Sequence, residues 1–264
     1  FPTRRSSDLA GELARALEHL EAGERIMASA EPGASALRAS LANALAKLAM
    51  NEGDLAGAER WVLDALAQLE ALGELDGAEA ATNLEALGVI RYFTGDLAGS
   101  ITAYEQALAI ERRLYGDTHW RVGLTRSNLA ESWLARGRHD AAGPEFEAAL
   151  AILARTLAPD DARLALPRKG LGLVALAEGH YEQAGAHFEA ALALVDGTTE
   201  PQELADLRFA LARALAGAGR EPARVYELAD AAAAGFAALG LLDRRDEVTR
   251  WLADAPAPTP RPIR

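Results

Sequence analysis

Five glycines, Gly11, Gly53, Gly95, Gly137 and Gly179, stand 42 residues apart along a chain of 264. A period between about 20 and 50 residues is the mark of stacked repeats, in which each unit is one supersecondary element that buries its apolar face only against a neighbour. Other columns keep the same step. Leu45, Leu87, Leu129 and Leu171 lie eight residues before their glycine, and each is followed by a small residue: Ala46, Gly88, Ala130, Gly172. Five residues after the glycine come Ala16, Ala58, Ser100, Ala142 and Ala184; four further on, Leu20, Val62, Tyr104, Phe146 and Phe188; three beyond these, Gly23, Ala65, Ala107, Ala149 and Ala191. A weaker copy with Leu211, Ala212 and Gly219 follows after 40 residues.

These columns describe a helix hairpin. A small residue after the leucine lets a second helix approach closely. The glycine ends the first helix, where a left-handed residue is least costly. Ala, a bulky residue and Ala at spacings of four and three make one stripe on the second helix. The spacing predicts first helices over 35–51, 77–93, 119–135, 162–177 and 201–217, and second helices over 55–72, 97–114, 139–156, 181–195 and 221–238. A last helix over 242–253 turns Leu242, Val248, Trp251 and Leu252 inward and Asp243, Arg244, Asp246, Glu247 and Arg250 to water. Composition agrees: half the residues are apolar and 6% aromatic, with Ala, the best helix former, dominant and the strand-favouring Val, Ile and Thr scattered.

Net charge is -12, which argues against nucleic acid, whose binding needs a cationic face to displace counterions. There is no Cys, so disulfides, thiolate nucleophiles and Cys-ligated metals are excluded. No run approaches the roughly 18 apolar residues of a membrane span. Lys occurs only at Lys47 and Lys169, the other basic residues being Arg; with abundant Ala this suggests a GC-rich, bacterial coding sequence.

The columns resemble the tetratricopeptide repeat: Leu-Gly, Gly in the turn, Ala, Phe or Tyr, then Ala. The usual unit is about 34 residues; the longer step resembles the subclass found in kinesin light chains and many bacterial signalling proteins. The stretch YGDTHWRVGLTRSNLA from Tyr115 resembles that subclass's Gly-x-x-His-Pro linker and Asn-Leu-Ala helix, with Trp120 in place of Pro, and AAGPEFEAALAI from Ala141 resembles its Ala-x-Pro second helix, Pro144 being expected in the first turn or so. The resemblance implies an all-α, right-handed superhelical solenoid. It divides the chain into an extraneous or disordered segment 1–8, the second helix of a truncated repeat at 9–30, five repeats over 35–240, a capping helix over 241–254 and a disordered Pro-rich tail over 255–264.

The opening residues, FPTRRSSDL, fit no column. Phe1 to Asp8 resemble the translation of a common sequencing adapter, TTC CCT ACA CGA CGC TCT TCC GAT CT. On that reading the first repeat is cut within its first helix, and the chain is the C-terminal part of a longer protein.

No Gly-x-Ser-x-Gly, His-Glu-x-x-His, P-loop or kinase catalytic loop is present, so no catalytic, cofactor-binding or metal-binding residue is assigned. GLGLVA at Gly170 lies inside a first helix, without the strand a dinucleotide fingerprint needs. His180 and His187 are seven apart and lack an evident third ligand; His119 and His139, at linker and turn positions, show no partner. The acidic pairs are read as solvated outer faces, and Trp61 and Trp133 as core. The resemblance makes the concave, first-helix groove the candidate site, for an extended peptide or a protein. By register it is lined by Ser40, Asn43, Lys47, Met50, Thr82, Glu85, Val89, Tyr92 and Phe93. It continues through Leu124, Ser127, Asn128, Glu131, Leu166, Lys169, Leu173, Asp206, Phe209 and Arg213. Asn128 matches the family's Asn that holds a ligand's main chain, while the Lys, Asn and Arg cluster that grips a terminal carboxylate is missing.

The last third, from PQELADLRFALARALAGAG to DEVTRWLAD, resembles the C-terminal end of bacterial, myxobacterial-type serine/threonine kinases with tetratricopeptide repeats. This implies a non-catalytic, cytoplasmic partner-binding scaffold below an upstream kinase domain, or one outside the cytoplasm if a membrane span precedes it. The alternative is the sensing array of another multidomain regulator, such as a nucleotide-switch transcription activator.

Overall fold

A computed structural model describes residues 35–195 and 200–254, with positions 22 and 25 in isolation. The segments expected at 1–8 and 255–264, and all but those isolated positions of 9–30, lie outside the described residues. The described chain is all-α, without a strand, and divides into two compact units, 1–117 and 118–264. The first contains α1 (Ser35–Glu52), α2 (Leu55–Leu72), α3 (Ala78–Thr94) and α4 (Leu97–Tyr115). The second contains α5 (Trp120–Ala135), α6 (His139–Thr156), a 3-10 turn (Ala162–Leu164), α7 (Ala165–Ala177), α8 (Tyr181–Leu192), α9 (Pro201–Gly217), α10 (Pro222–Ala238) and α11 (Leu242–Asp254). Successive helices pair as hairpins, and within each unit every hairpin packs its first helix on the second helix before it.

The hairpin turns follow from the glycine column. Gly53, Gly95, Gly137, Gly179 and Gly219 all have φ between 66° and 86°, the left-handed region that ends a helix at low cost only for glycine. In the first unit the next residue caps the second helix: Asp54 accepts from the Gly57 amide and Asp96 from the Gly99 amide, each at 2.9 Å. This explains the recurring Gly-Asp-Leu-Ala-Gly, since the carboxylate folds back over the first turn into space a side chain at Gly57 or Gly99 would occupy.

The core is built by the small column meeting the bulky one. A Cβ added at Gly88 would stand 2.7 Å from the Tyr104 ring, and one at Gly172 2.6 Å from the Phe188 ring. A Cβ at Gly170 would overlap the Phe146 ring of the hairpin before it, so GLGLVA is a pair of ring sockets. Ser100, the polar member of the alanine column, is buried and donates to the Gly88 carbonyl at 2.8 Å. Trp61 is buried, whereas Trp133 is half-buried, with the Arg136 and Arg138 guanidinium groups each 5.7 Å from its ring.

Some local expectations are corrected. Pro144 is the sixth residue of α6, in its second turn, where its missing N–H does remove an intrahelical bond. The helix expected from 162 opens with the 3-10 turn, and α8 ends at Leu192. In α11, Val248 is fully buried but Leu242 is half exposed. Arg244 keeps part of its side chain in water while it reaches Asp206 at 2.5 Å and lies 5.0 Å from the Phe236 ring.

Candidate functional site

The first-helix face of the first unit comes from α1 and α3. These helices bury Ala42, Ala46, Ala49, Ala80, Ala81 and Leu87, and the residues between them in the helical period point away from the core. On α1, Lys47 is exposed and Asn43 half-buried. On α3, Glu85, Val89 and Tyr92 are half-buried; their spacings of four and three put them on one stripe. The Tyr92 ring meets the Phe93 ring edge-on at 5.4 Å, and Phe93 is 68% exposed. Beside them the Arg91 Nε lies 2.9 Å from a Glu59 carboxylate oxygen, tying α3 to α2.

The corresponding face of the second unit comes from α5, α7 and α9. Lys169 Nζ lies 3.0 Å from Glu203 Oε1 and 3.7 Å from Glu131 Oε1, so one ammonium joins three successive first helices. Burial pushes the Glu131 carboxyl above its usual range; Lys169 pulls it down and the Glu203 charge pushes it up again. Two of the expected site residues, Glu131 and Lys169, are thus brought together. Asn128 and Leu173 are half-buried on the same face, and Arg213 is exposed, its guanidinium 5.8 Å from the Phe209 ring.

Three expected groove residues have other roles. Ser127 is fully buried and its hydroxyl donates to the Gly123 carbonyl of its own helix at 3.1 Å, as a serine facing the preceding turn does. Phe209 is buried, packed edge-on against Trp251 at 5.4 Å. Asp206 is held by Arg244. Glu203, which completes the Lys169 cluster, was not expected: an acid in the first turn of α9 reads as a partner of the helix dipole.

Four histidines, His119, His139, His180 and His187, sit at caps, turns and a cleft. His119 caps α5, its Nδ1 accepting from the Arg121 amide at 3.3 Å, so it does have a partner. His139 and His187 border a cleft of about 240 Å³ together with Glu147 and Glu178. Burial, with Arg168 adding and Glu147 opposing, holds the His187 imidazole below its usual value. His180 Nδ1 instead lies 3.2 Å from Glu178. Among the described residues no group of three or more His, Cys, Asp or Glu is arranged to hold a metal ion, and no helix is long and apolar enough to cross a membrane. Several acids read as solvated pair across helices, including Arg126 with Glu145 and Arg224 with Glu189.

Residues 121–197 match the tetratricopeptide repeat family. No curated protein is significantly similar in sequence. Among solved structures, BtubC (BKLC) from P. vanneervenii is 22% identical, with 97% of this chain and 96% of that one covered at a TM-score of 0.65. A putative kinesin light chain from Podospora anserina, with nearly identical tetratricopeptide-like repeats, is 20% identical, with 80% and 99% covered at 0.61. The apo form of RapI is 14% identical, with 92% and 91% covered at 0.66. At these identities the structures share the fold. The family match covers 121–197, the same columns run through the flanking repeats, and the neighbours share the helical-repeat fold.

Proposed function

We propose that this chain is a non-catalytic scaffold that holds a protein or an extended peptide on its first-helix faces. The observation that carries this is the mixture those faces present: Val89, Tyr92 and Leu173 offer apolar contact beside Lys47, Glu85, Asn128 and Arg213. That mixture suits a peptide's main chain and varied side chains better than a metabolite, because peptide surfaces bind through a few anchors set among neutral contacts. The finer reading is that the repeats select partners for a bacterial serine/threonine kinase domain encoded upstream. Its support is the likeness of the C-terminal third to the ends of such kinases. Sequencing the gene upstream of Leu9 tests it; a reading frame without a Gly-rich loop and a His-Arg-Asp loop would sink the kinase parentage and leave the scaffold.

The scaffold itself is tested with displayed random peptides selected on the full chain. The expected outcome is a set of binders weakened roughly tenfold by Tyr92→Ala or Asn128→Ala, with helicity unchanged by circular dichroism. Binders that respond to neither substitution would remove the first-helix faces as the site.

A further inference from the structure

At the column of Leu63 the following repeats carry Glu105, Glu147 and Glu189. At the column of Leu84 they carry Arg126, Arg168 and, after the 40-residue step, Arg208. The later repeats thus carry charge at both columns, exposed at Glu105, Glu147 and Glu189 and half-buried at Arg126, Arg168 and Arg208, where α2 and α3 carry leucine. Leu63 on α2 and Leu84 on α3 line an open groove of about 500 Å³ with Leu66, Leu75 and Ile110. Ala67 and Ala109, small residues on α2 and α4, leave the space between those two helices open. Leu63 is 45% and Leu75 39% exposed. Contiguous apolar surface with a polar rim marks a protein contact, and the volume falls within the roughly 300–1,000 Å³ of binding clefts.

The rim is acidic. Glu70 borders the groove, and Glu74 and Glu105 are exposed beside it. None of these three forms an ion pair among the described residues. The nearby Arg112 and Arg113 are engaged by Asp117 and Asp76. We propose that this groove, formed on the second-helix side of the first unit, docks an amphipathic helix of a partner protein. That helix inserts leucine-like side chains between α2 and α4 and aligns Lys or Arg with Glu70, Glu74 and Glu105. A helix laid in an apolar groove is a recurring recognition mode, read as anchors at i, i+3, i+4 and i+7. A second copy of this chain suits the groove poorly, since it would bring a molecule of net charge -12 against an acidic rim. The surface goes beyond the first-helix faces and shares no residue with them.

The test uses the full chain and fluorescent synthetic helices of about 18 residues, long enough for five turns, with Leu at i, i+3, i+4 and i+7 and flanks of Lys or of Glu. The Lys-flanked peptide is expected to bind, and the Glu-flanked one at least roughly tenfold more weakly. Leu63→Glu, the residue the later repeats carry at this exposed position, should abolish binding while the melting curve stays cooperative. Glu70→Lys with Glu74→Lys should invert the preference between the peptides. Equal binding of both peptides, or binding that survives Leu63→Glu, would overturn the proposal. So would a concentration-dependent dimer in sedimentation that Leu63→Glu dissolves, which would make a second copy the occupant. Loss of the Lys-flanked peptide on Tyr92→Ala or Asn128→Ala would move it to the first-helix faces, ending this proposal and leaving the scaffold reading intact.

Discussion

The two units are built from the same hairpin and hold it together differently. In the first, the turn glycine is followed by a capping aspartate, Asp54 or Asp96, and the space between helices is filled by Trp61, Val62 and Tyr104. In the second, Arg138 and His180 stand at the cap positions without a side-chain cap bond, and three fully buried rings, Phe146, Phe188 and Phe236, fill the interior. The first-helix faces differ too. Lys169 locks α5, α7 and α9 together in the second unit, while Lys47 in the first stays exposed. The contrast teaches that the repeat columns constrain backbone and volume, and that caps and charges vary freely around them. Where charge is absent, as at Leu63, apolar surface is left exposed.

The largest effect should come from breaking the aromatic side of the comparison. Phe188 is fully buried against Gly172, and glycine has no side chain to collapse into the hole. Phe188→Ala should therefore cost about 3–5 kcal/mol, while Val62→Ala, the equivalent column in the first unit, should cost about 2 kcal/mol, the transfer energy of two carbons and a small cavity. Denaturant melts of the full chain measure both. Equal losses would mean that the ring-and-socket contact adds nothing to the second unit.

The caps sharpen the comparison from the other side. Asp54→Ala and Asp96→Ala should each cost about 1 kcal/mol, the usual loss of a capping carboxylate. His180→Ala, at the matching position of the second unit, should be close to neutral, since its side chain makes no cap bond. A loss at His180 as large as that at Asp54 would show that the uncapped turn depends on another contact of the ring.

Most of the fold was legible because repetition shows which properties a position must keep. Gly137 and Gly179 could be placed at turns by register with Gly53 and Gly95, although the residues after them do not cap. The candidate site was less legible, because its side chains fall between columns. Ser127 and Asn128 are neighbours in sequence, yet one donates into its own helix and the other stays on the face; a rotation of about 100° per residue separates those outcomes. Phe209 and Asp206 were drawn out of the groove by α11, through Trp251 and Arg244, contacts that no period within one repeat encodes. Glu203 joined the cluster because Pro201 starts α9 just before it, in the stretch where the spacing drops from 42 to 40 residues.

The smallest effect concerns the charged lock of the second unit, and its sign can be worked out. Burial, the largest influence on Glu131, raises its carboxyl above the ordinary value, so the folded chain holds that proton more tightly than the unfolded chain. The contribution therefore favours folding below the ordinary carboxyl value and is lost as pH rises through it toward the raised folded value. Lys169 pulls the other way. Lys169→Met should raise the Glu131 carboxyl further and widen the window upward, so the variant should lose more stability at pH 7 than at pH 4. Because the three side chains keep 21%, 31% and 43% of their surface in water, screening limits the difference to about 1 kcal/mol or less. Adding Glu131→Gln to Lys169→Met removes the titrating group and should restore most of the loss at pH 7. Urea melts at the two pH values read this directly. A loss from Lys169→Met that is the same at both pH values, and unrelieved by Glu131→Gln, would mean that the lysine acts through the packing of its aliphatic stem, and that the first-helix faces of the two units differ in shape more than in charge.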